Sequence, residues 1–128
     1  MSTVFIGLMS GTSLDGIDGV LVDFAAVGPA LLQVRAHRHV EFAADLRSEL
    51  LALNRPGENE IHRVAIAGNR LARSYAEVVA ALLGAAGMAS AQVTAVGCHG
   101  QTVRHRPGEF DTVGYTVQVN APALLAEM

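Results

Sequence analysis

Residues 4–24 read VFIGLMSGTSLDGIDGVLVDF, and this stretch decides how the rest of the chain is read. Two apolar runs, Val4 to Met9 and Val20 to Phe24, flank the segment Met9–Asp18, which holds two glycines, three hydroxyls and two carboxylates. Short apolar runs that end in turn chemistry predict strand, loop, strand. A hairpin needs only a few Gly, Asp or Ser residues for its turn. The surplus of functional groups marks the loop as a candidate site.

Working outward, a turn is expected around Gly28 and Pro29. Leu32, Val34, Ala36, Arg38, Val40 and Phe42 then alternate with Gln33, Arg35, His37, His39 and Glu41. Such period-2 alternation predicts a strand with one wet face, paired antiparallel or lying at an edge, with Arg38 breaking the dry face. Ala43 to Leu53, with leucines at 46, 50 and 53, predicts a short helix stopped by Asn54-Arg55-Pro56-Gly57. Ile61, Val64, Gly68, Leu71, Tyr75, Val78 and Leu82 recur every three or four residues, which predicts a long amphipathic helix over Glu60 to Ala85, ended by Gly87. Val93 to Cys98 reads as a buried strand running into His99-Gly100-Gln101-Thr102. A loop through Pro107 and Gly108 leads to a strand near Thr116 to Val119, and Pro122 stands where a last helix would begin. The order β-β-β-α-α-β-β-α describes one α/β domain with a mixed sheet.

Composition narrows the function. The chain has 128 residues, 51% of them hydrophobic but only 5% aromatic, so the core is built of small side chains. No apolar run approaches the roughly 18–20 residues of a membrane span, and the N-terminus lacks the basic region of a signal peptide, so a cytoplasmic protein without membrane partners is expected. One cysteine, Cys98, excludes an internal disulfide and suits a reducing compartment. All nine basic residues are arginine, which removes a Walker-type phosphate loop and any catalytic lysine. The net charge of −3, without a basic cluster beyond Arg104 to Arg106, speaks against nucleic acid and for a small molecule.

Two segments carry the chemistry. In the first, glycines let successive N–H groups converge on one point, and the hydroxyls of Ser10, Thr12 and Ser13 add donors, which makes a cradle for phosphate oxygens. Asp15 or Asp18 would then anchor Mg²⁺, directly or through water. The plain alternative is a surface turn. A nucleophile elbow does not fit, because Gly11-Thr12-Ser13-Leu14-Asp15-Gly16 has one residue too many and precedes a strand. The second segment, Gly97-Cys98-His99-Gly100-Gln101-Thr102, ends a strand where ligands of open α/β sheets sit. Its imidazole, amide and hydroxyl suit sugar hydroxyls, or else His99 merely bonds a nearby carbonyl while Gly100 turns the chain. His37 and His39 are expected to be solvated surface, Cys98 an inert apolar residue, and Arg104 and Arg106 partners of neighbours such as Glu109 or Asp111.

Taken together, FIGLMSGTSLDGID and, about ninety residues later, VGCHGQTVRHRP resemble the anhydro-N-acetylmuramic acid kinases of peptidoglycan recycling. The resemblance runs through the whole chain, including ALLAE near its end. It implies the ribonuclease H-like lobe of the sugar kinase, Hsp70 and actin superfamily, with ATP in a cleft between two lobes. It implies a reaction that adds water across the 1,6-anhydro bond of 1,6-anhydro-N-acetylmuramic acid while the γ-phosphoryl group of ATP passes to O6. By the same resemblance, Gly11, Thr12, Ser13, Leu14, Asp15, Gly16, Ile17 and Asp18 are the first phosphate-binding hairpin, and His99, Gly100, Gln101 and Thr102 lie at the sugar side. Positioning and charge neutralisation dominate phosphoryl transfer, so ATP, Mg²⁺ and a donor-rich hairpin belong together.

The resemblance also implies a second lobe, outside residues 1–128, that carries the aspartate activating water. No catalytic residue is therefore expected in this chain, which is expected to bind without turning over by itself. Arg104 and Asn120-Ala121 depart from the family pattern, where many members have Trp and Gly-Asp. The rival expectation is a non-catalytic lobe that binds nucleotide or a partner chain. A homodimer is left open.

Overall fold

The computed structural model describes residues 2–25 and 31–128, so the turn expected at Gly28 and Pro29 lies outside the described residues. Three strands come first: β1 (Val4–Ser10), β2 (Gly16–Asp23) and β3 (Gln33–Glu41). Two helices follow, α1 (Ala44–Ala52) and α2 (Glu60–Ala86), then strands β4 (Val93–Cys98), β5 (Gln101–Pro107) and β6 (Gly114–Val119), and helix α3 (Pro122–Glu127). The α/β class and mixed sheet match the expectation, with one strand added. That strand is β5, which forms because its carbonyls and N–H groups pair antiparallel with β6; Pro107 sits at its last position, where a missing N–H is tolerated.

The main sheet has the order β3-β2-β1-β4, and β5 and β6 form a separate ribbon. β1–β2 and β2–β3 are antiparallel, whereas β4 runs parallel to β1 after the long crossover through α2. One face of the sheet, bearing Ile6, Leu8, Ile17 and Leu21, packs on the apolar stripe Leu71, Tyr75, Val78 and Leu82 of α2. At about 1.5 Å per residue, the 27 residues of α2 span about 40 Å, enough to cross the sheet and reach β6 and α3. Gly87 closes the helix in the left-handed conformation.

Three burial expectations need correction. Ile61 opens the predicted apolar stripe yet is 90% exposed, because the first turn of α2 extends past the sheet. Leu32 and Val34 are exposed, since β3 is an edge strand and α2 covers it only from Ala36 onward. β4, read as buried from its apolar composition, is the opposite edge and is largely exposed. On the helix side of β4 an apolar groove of about 390 Å³ runs between Val79, Leu83, Val96 and Leu125. Among the described residues no helix is long and apolar enough to cross a membrane.

Asp23 ties the far end of the hairpin together. Its carboxylate accepts from the Thr3 hydroxyl at 2.6 Å, the Ala25 N–H at 2.9 Å and Arg35 at 2.8 Å, and these bonds, the Thr3 one foremost, hold it down to about 2. A carboxylate whose folded pKa lies below its unfolded one stabilises the fold at neutral pH and loses that contribution as pH falls through the window from about 4 to about 2. Urea unfolding of Asp23→Asn should show lower stability than the parent at pH 7, with the difference closing by pH 2; a difference that persists in acid would remove Asp23 from the acid response.

Candidate functional site

β1 ends at Ser10 and β2 begins at Gly16, so the loop proper is only Gly11–Asp15. The Gly11 carbonyl accepts the Leu14 N–H at 3.1 Å, which closes a four-residue turn with Thr12 and Ser13 exposed at its tip. Among the described residues, the N–H groups of Thr12 and Ser13 have no protein acceptor. Leu14 adopts a left-handed φ of 56°, which costs a side chain about 1–2 kcal/mol. Two contacts hold it there: its side chain is buried in the core, and Arg47 of α1 donates Nε to its carbonyl at 2.9 Å. Nothing in the sequence distinguishes Arg47 from the other arginines of the helices; only the packing of α1 beneath the loop gives it this role.

The eight expected phosphate-site residues divide into two groups. Thr12, Ser13, Asp15 and Asp18 are exposed, and Gly11 is half-buried. Leu14, Gly16 and Ile17 are buried, because the pleat of β2 turns Ile17 onto the helix face while it leaves Asp18 on the open one. The Ser10 hydroxyl, expected as a donor for phosphate, instead lies beneath the loop. Ser10 ends β1 on the helix face, where its Oγ bonds the Gly100 carbonyl at 3.3 Å and lies 3.1 Å from the Tyr75 hydroxyl. Burial raises the Tyr75 pKa, so this phenol stays protonated at physiological pH.

The two aspartates differ. Among the described residues the Asp15 carboxylate has no hydrogen-bond or ion-pair partner and stands beside the free N–H groups of the loop. Asp18 is engaged: its Oδ1 lies 3.1 Å from His39 Nδ1 and 3.4 Å from His37 Nε2 on the neighbouring strand. His37 and His39 are exposed as expected, and among the described residues no group of three side chains is arranged to hold a metal ion. Exposed carboxylates beside a hydroxyl- and amide-lined turn are hard oxygen donors of the type Mg²⁺ takes, with Asp15 the freer of the two.

The second segment follows β4. The His99 N–H donates to the Leu8 carbonyl at 3.0 Å, which extends the β1–β4 ladder by one bond and sets this segment beside the first loop. Gly100 has φ +76°, and a Cβ there would lie 2.6 Å from the Val119 carbonyl oxygen, so only glycine turns the chain here. The His99 ring is exposed, with Nδ1 3.0 Å from the Gly100 carbonyl; in the Nδ1–H tautomer this bond is made and Nε2 is left for another partner. Asp18 and His99 border one depression of about 430 Å³ on the open sheet face. Thr102 is half-buried. Gln101 is not a surface group at all: it is 1% exposed, and its Nε2 donates to the Gly11 carbonyl at 3.1 Å.

The surroundings of this segment are tied off. Asn120 donates Nδ2 to the Cys98 carbonyl at 3.2 Å and accepts the Ala121 N–H at 2.9 Å, which fixes the β6–α3 junction to the end of β4. Burial pushes the Cys98 thiol up, consistent with an inert side chain. Arg106 pairs with Glu109 at 2.7 Å, and Arg104 pairs with Glu60 at the start of α2, so each guanidinium already has a carboxylate partner, while Arg104 Nε is buried without one among the described residues.

With the hairpin loop and the His99 segment adjacent, likeness to known proteins becomes informative. Residues 3–128 match the family described as anhydro-N-acetylmuramic acid kinase. The chain belongs to this family. It is 61% identical over 125 residues to the anhydro-N-acetylmuramic acid kinase of Variovorax paradoxus, covering 98% of this chain and 32% of that protein. It is 58% identical over 128 residues to that of Albidiferax ferrireducens, with 100% and 32% covered, and 57% identical over 127 residues to that of Cupriavidus metallidurans, with 99% and 33% covered. The chain thus spans about a third of the length of these curated anhydro-N-acetylmuramic acid kinases.

Proposed function

We propose that this chain is one lobe of a two-lobed ATP-dependent kinase, and that the whole protein hydrolytically opens 1,6-anhydro-N-acetylmuramic acid and phosphorylates its O6 in the cytoplasm. The observation that carries this reading is the contact of the two loops: a turn with unpaired N–H groups and hydroxyls lies directly beside a strand end bearing His99. A phosphate chain needs the first, and a sugar with several hydroxyls suits the second. Gly11, Thr12 and Ser13 would receive the phosphates of ATP. Asp15, with Asp18 at the base of the loop, would hold Mg²⁺ through water, and the ion would neutralise charge on the phosphates. His99, with the backbone of Gly100 and the Thr102 hydroxyl, would face the sugar. The aspartate that activates water would come from the partner lobe.

Leu14, Gly16 and Ile17 act in this reading as supports rather than contacts, because their side chains or Cα atoms are turned into the core. Gln101 likewise acts from beneath.

Calorimetric titration of the 128-residue chain tests the reading. Mg²⁺–ATP is expected to bind more tightly than ATP in EDTA, and Asp15→Asn to lose about 5- to 30-fold in affinity for the Mg²⁺ complex only, in line with a lost charge-assisted contact of about 1–2 kcal/mol. Equal affinity with and without Mg²⁺ would remove the metal from this lobe. Absence of any nucleotide binding would end the kinase reading for this chain, and binding without phosphotransfer to the sugar, even with the rest of a full-length relative supplied, would favour a non-catalytic lobe.

A further inference from the structure

Most buried polar groups in folded proteins are paired, and those beneath the two loops form two neighbouring sets, joined through the chain at Ser10–Gly11 and Gly100–Gln101. Ser10, Tyr75 and Gln101 are 2%, 0% and 1% exposed. The Gly100 carbonyl can only accept, so the single Ser10 proton goes to it, and the Tyr75 hydroxyl therefore donates to Ser10 Oγ. This gives a run of bonds from helix α2 through the last residue of β1 to the turn that follows β4. On the other side Gln101 Nε2 uses its two protons on the carbonyls of Gly11, at 3.1 Å, and Thr102, at 3.3 Å. The Gly11 carbonyl thus accepts twice: from Leu14, which closes the turn, and from Gln101, which fastens that turn to β5. Gln101 Oε1 is sealed from solvent without a donor.

We propose that Gln101, backed by the Tyr75–Ser10 pair, is a positioning residue that clasps the phosphate loop to the His99–Thr102 segment and so sets the distance between a nucleotide held by one and a sugar held by the other. The inference rests on the proposed function for what the loops hold, but the clasp itself is a property of this chain. Geometry requires an amide here. A carboxylate at 101 would set an oxygen against the Gly11 carbonyl, and an apolar side chain would leave that carbonyl only its turn bond. The unmet Oε1 adds a distinctive consequence. A buried acceptor without a donor opposes folding, while the two donated bonds favour it, so removing the whole amide has offsetting effects on global stability. Gln101 therefore contributes to loop order far more than to overall stability, as expected of a side chain that serves a site.

Hydrogen exchange on the 128-residue chain separates these two contributions. Gln101→Met, similar in volume and without polar atoms at the clasp, should leave the urea midpoint nearly unmoved and speed exchange of the Leu14 amide and its neighbours in Gly11–Asp15 by about 10-fold. Amides of Leu71–Leu82 in α2 should stay within about 2-fold of the parent, because local and global openings are distinct processes. Tyr75→Phe, which deletes only the hydroxyl, should give a smaller change of about 2- to 5-fold confined to the same loops. Unchanged loop exchange in Gln101→Met, or a rise spread evenly over loop and helix, would overturn the clasp. Titration with Mg²⁺–ATP is read separately: if the parent chain binds, Gln101→Met must weaken binding by about 10-fold, and equal affinity would overturn the positioning role. A parent chain that binds no nucleotide would count against the kinase reading while the exchange data still judge the clasp.

Discussion

Gly16→Ala is expected to destabilise the chain by about 2–6 kcal/mol, the sum of about 1–3 kcal/mol for backbone strain and about 1–3 kcal/mol or slightly more for overpacking. Gly16 has φ +157°, and a Cβ on it would lie 2.2 Å from the Val40 carbonyl oxygen and 2.9 Å from the Glu41 Cα. Both obstacles are backbone atoms of β3, so no rotamer change can relieve them. The strand must move away, and with it the Gly16–Glu41 pairing that starts the β2–β3 ladder. Since domains of this size are held by about 5–15 kcal/mol, the substitution removes a large fraction of the total. Urea unfolding followed by circular dichroism measures it, and a loss below about 1 kcal/mol would mean that β3 does not approach β2 this closely. The functional consequence follows from position: Gly16 is the first residue after the loop, so displacing it shifts Asp15 and Leu14 directly.

Leu21→Ala is the second large effect. Leu21 is 0% exposed at the centre of β2, paired with Ile6 of β1 and Ala36 of β3, and belongs to the core that packs against α2. Truncating a buried leucine loses transfer free energy and leaves a cavity that rigid neighbours cannot fill, for a loss of about 2–5 kcal/mol. Here the neighbours are strand backbones and a long helix, which places the expectation in the upper half of that range. The same unfolding experiment reads it, and a loss under about 1 kcal/mol would show that α2 collapses onto the sheet. Unlike Gly16→Ala, this change leaves the loop contacts of Gly11, Leu14 and Gln101 in place, so any remaining folded protein should keep the Mg²⁺–ATP affinity expected under the proposed function.

Much of the architecture could be read directly from the residues. The 3.6-residue spacing from Val64 to Leu82 has one solution, a helix with a single apolar face, and α2 has nearly the predicted limits. The alternation from Gln33 to Glu41 specified a half-wet strand, and β3 is an antiparallel edge strand. β5 was hidden because Gln101-Thr102-Val103-Arg104-His105-Arg106-Pro107 has little apolar content; its strand conformation comes from pairing with β6, which is not a local property. The burial of β4 was misjudged for the reciprocal reason. Its composition states what the strand can tolerate, while exposure depends on which strands and helices lie beside it.

The site divides along the same line. Residue types and spacing within GTSLD and HGQT were enough to mark two candidate segments, because turn chemistry and donor inventory are local; their phosphate and sugar roles belong to the proposed function. Which of those residues face outward was not local. The pleat of β2 placed Ile17 in the core and Asp18 beside His37 and His39; the end of β1 turned Ser10 under the loop; the β1–β4 pairing brought Gln101 to the carbonyl of Gly11. The sequence by itself determined a mixed α/β lobe, its long helix and two chemically loaded loops, since these depend on periodicity and side-chain chemistry. Only the tertiary structure decided that Thr12, Ser13 and Asp15 are exposed while Ser10, Tyr75 and Gln101 hold the loops from below, because burial and hydrogen-bond partners are set by contacts between residues up to ninety positions apart.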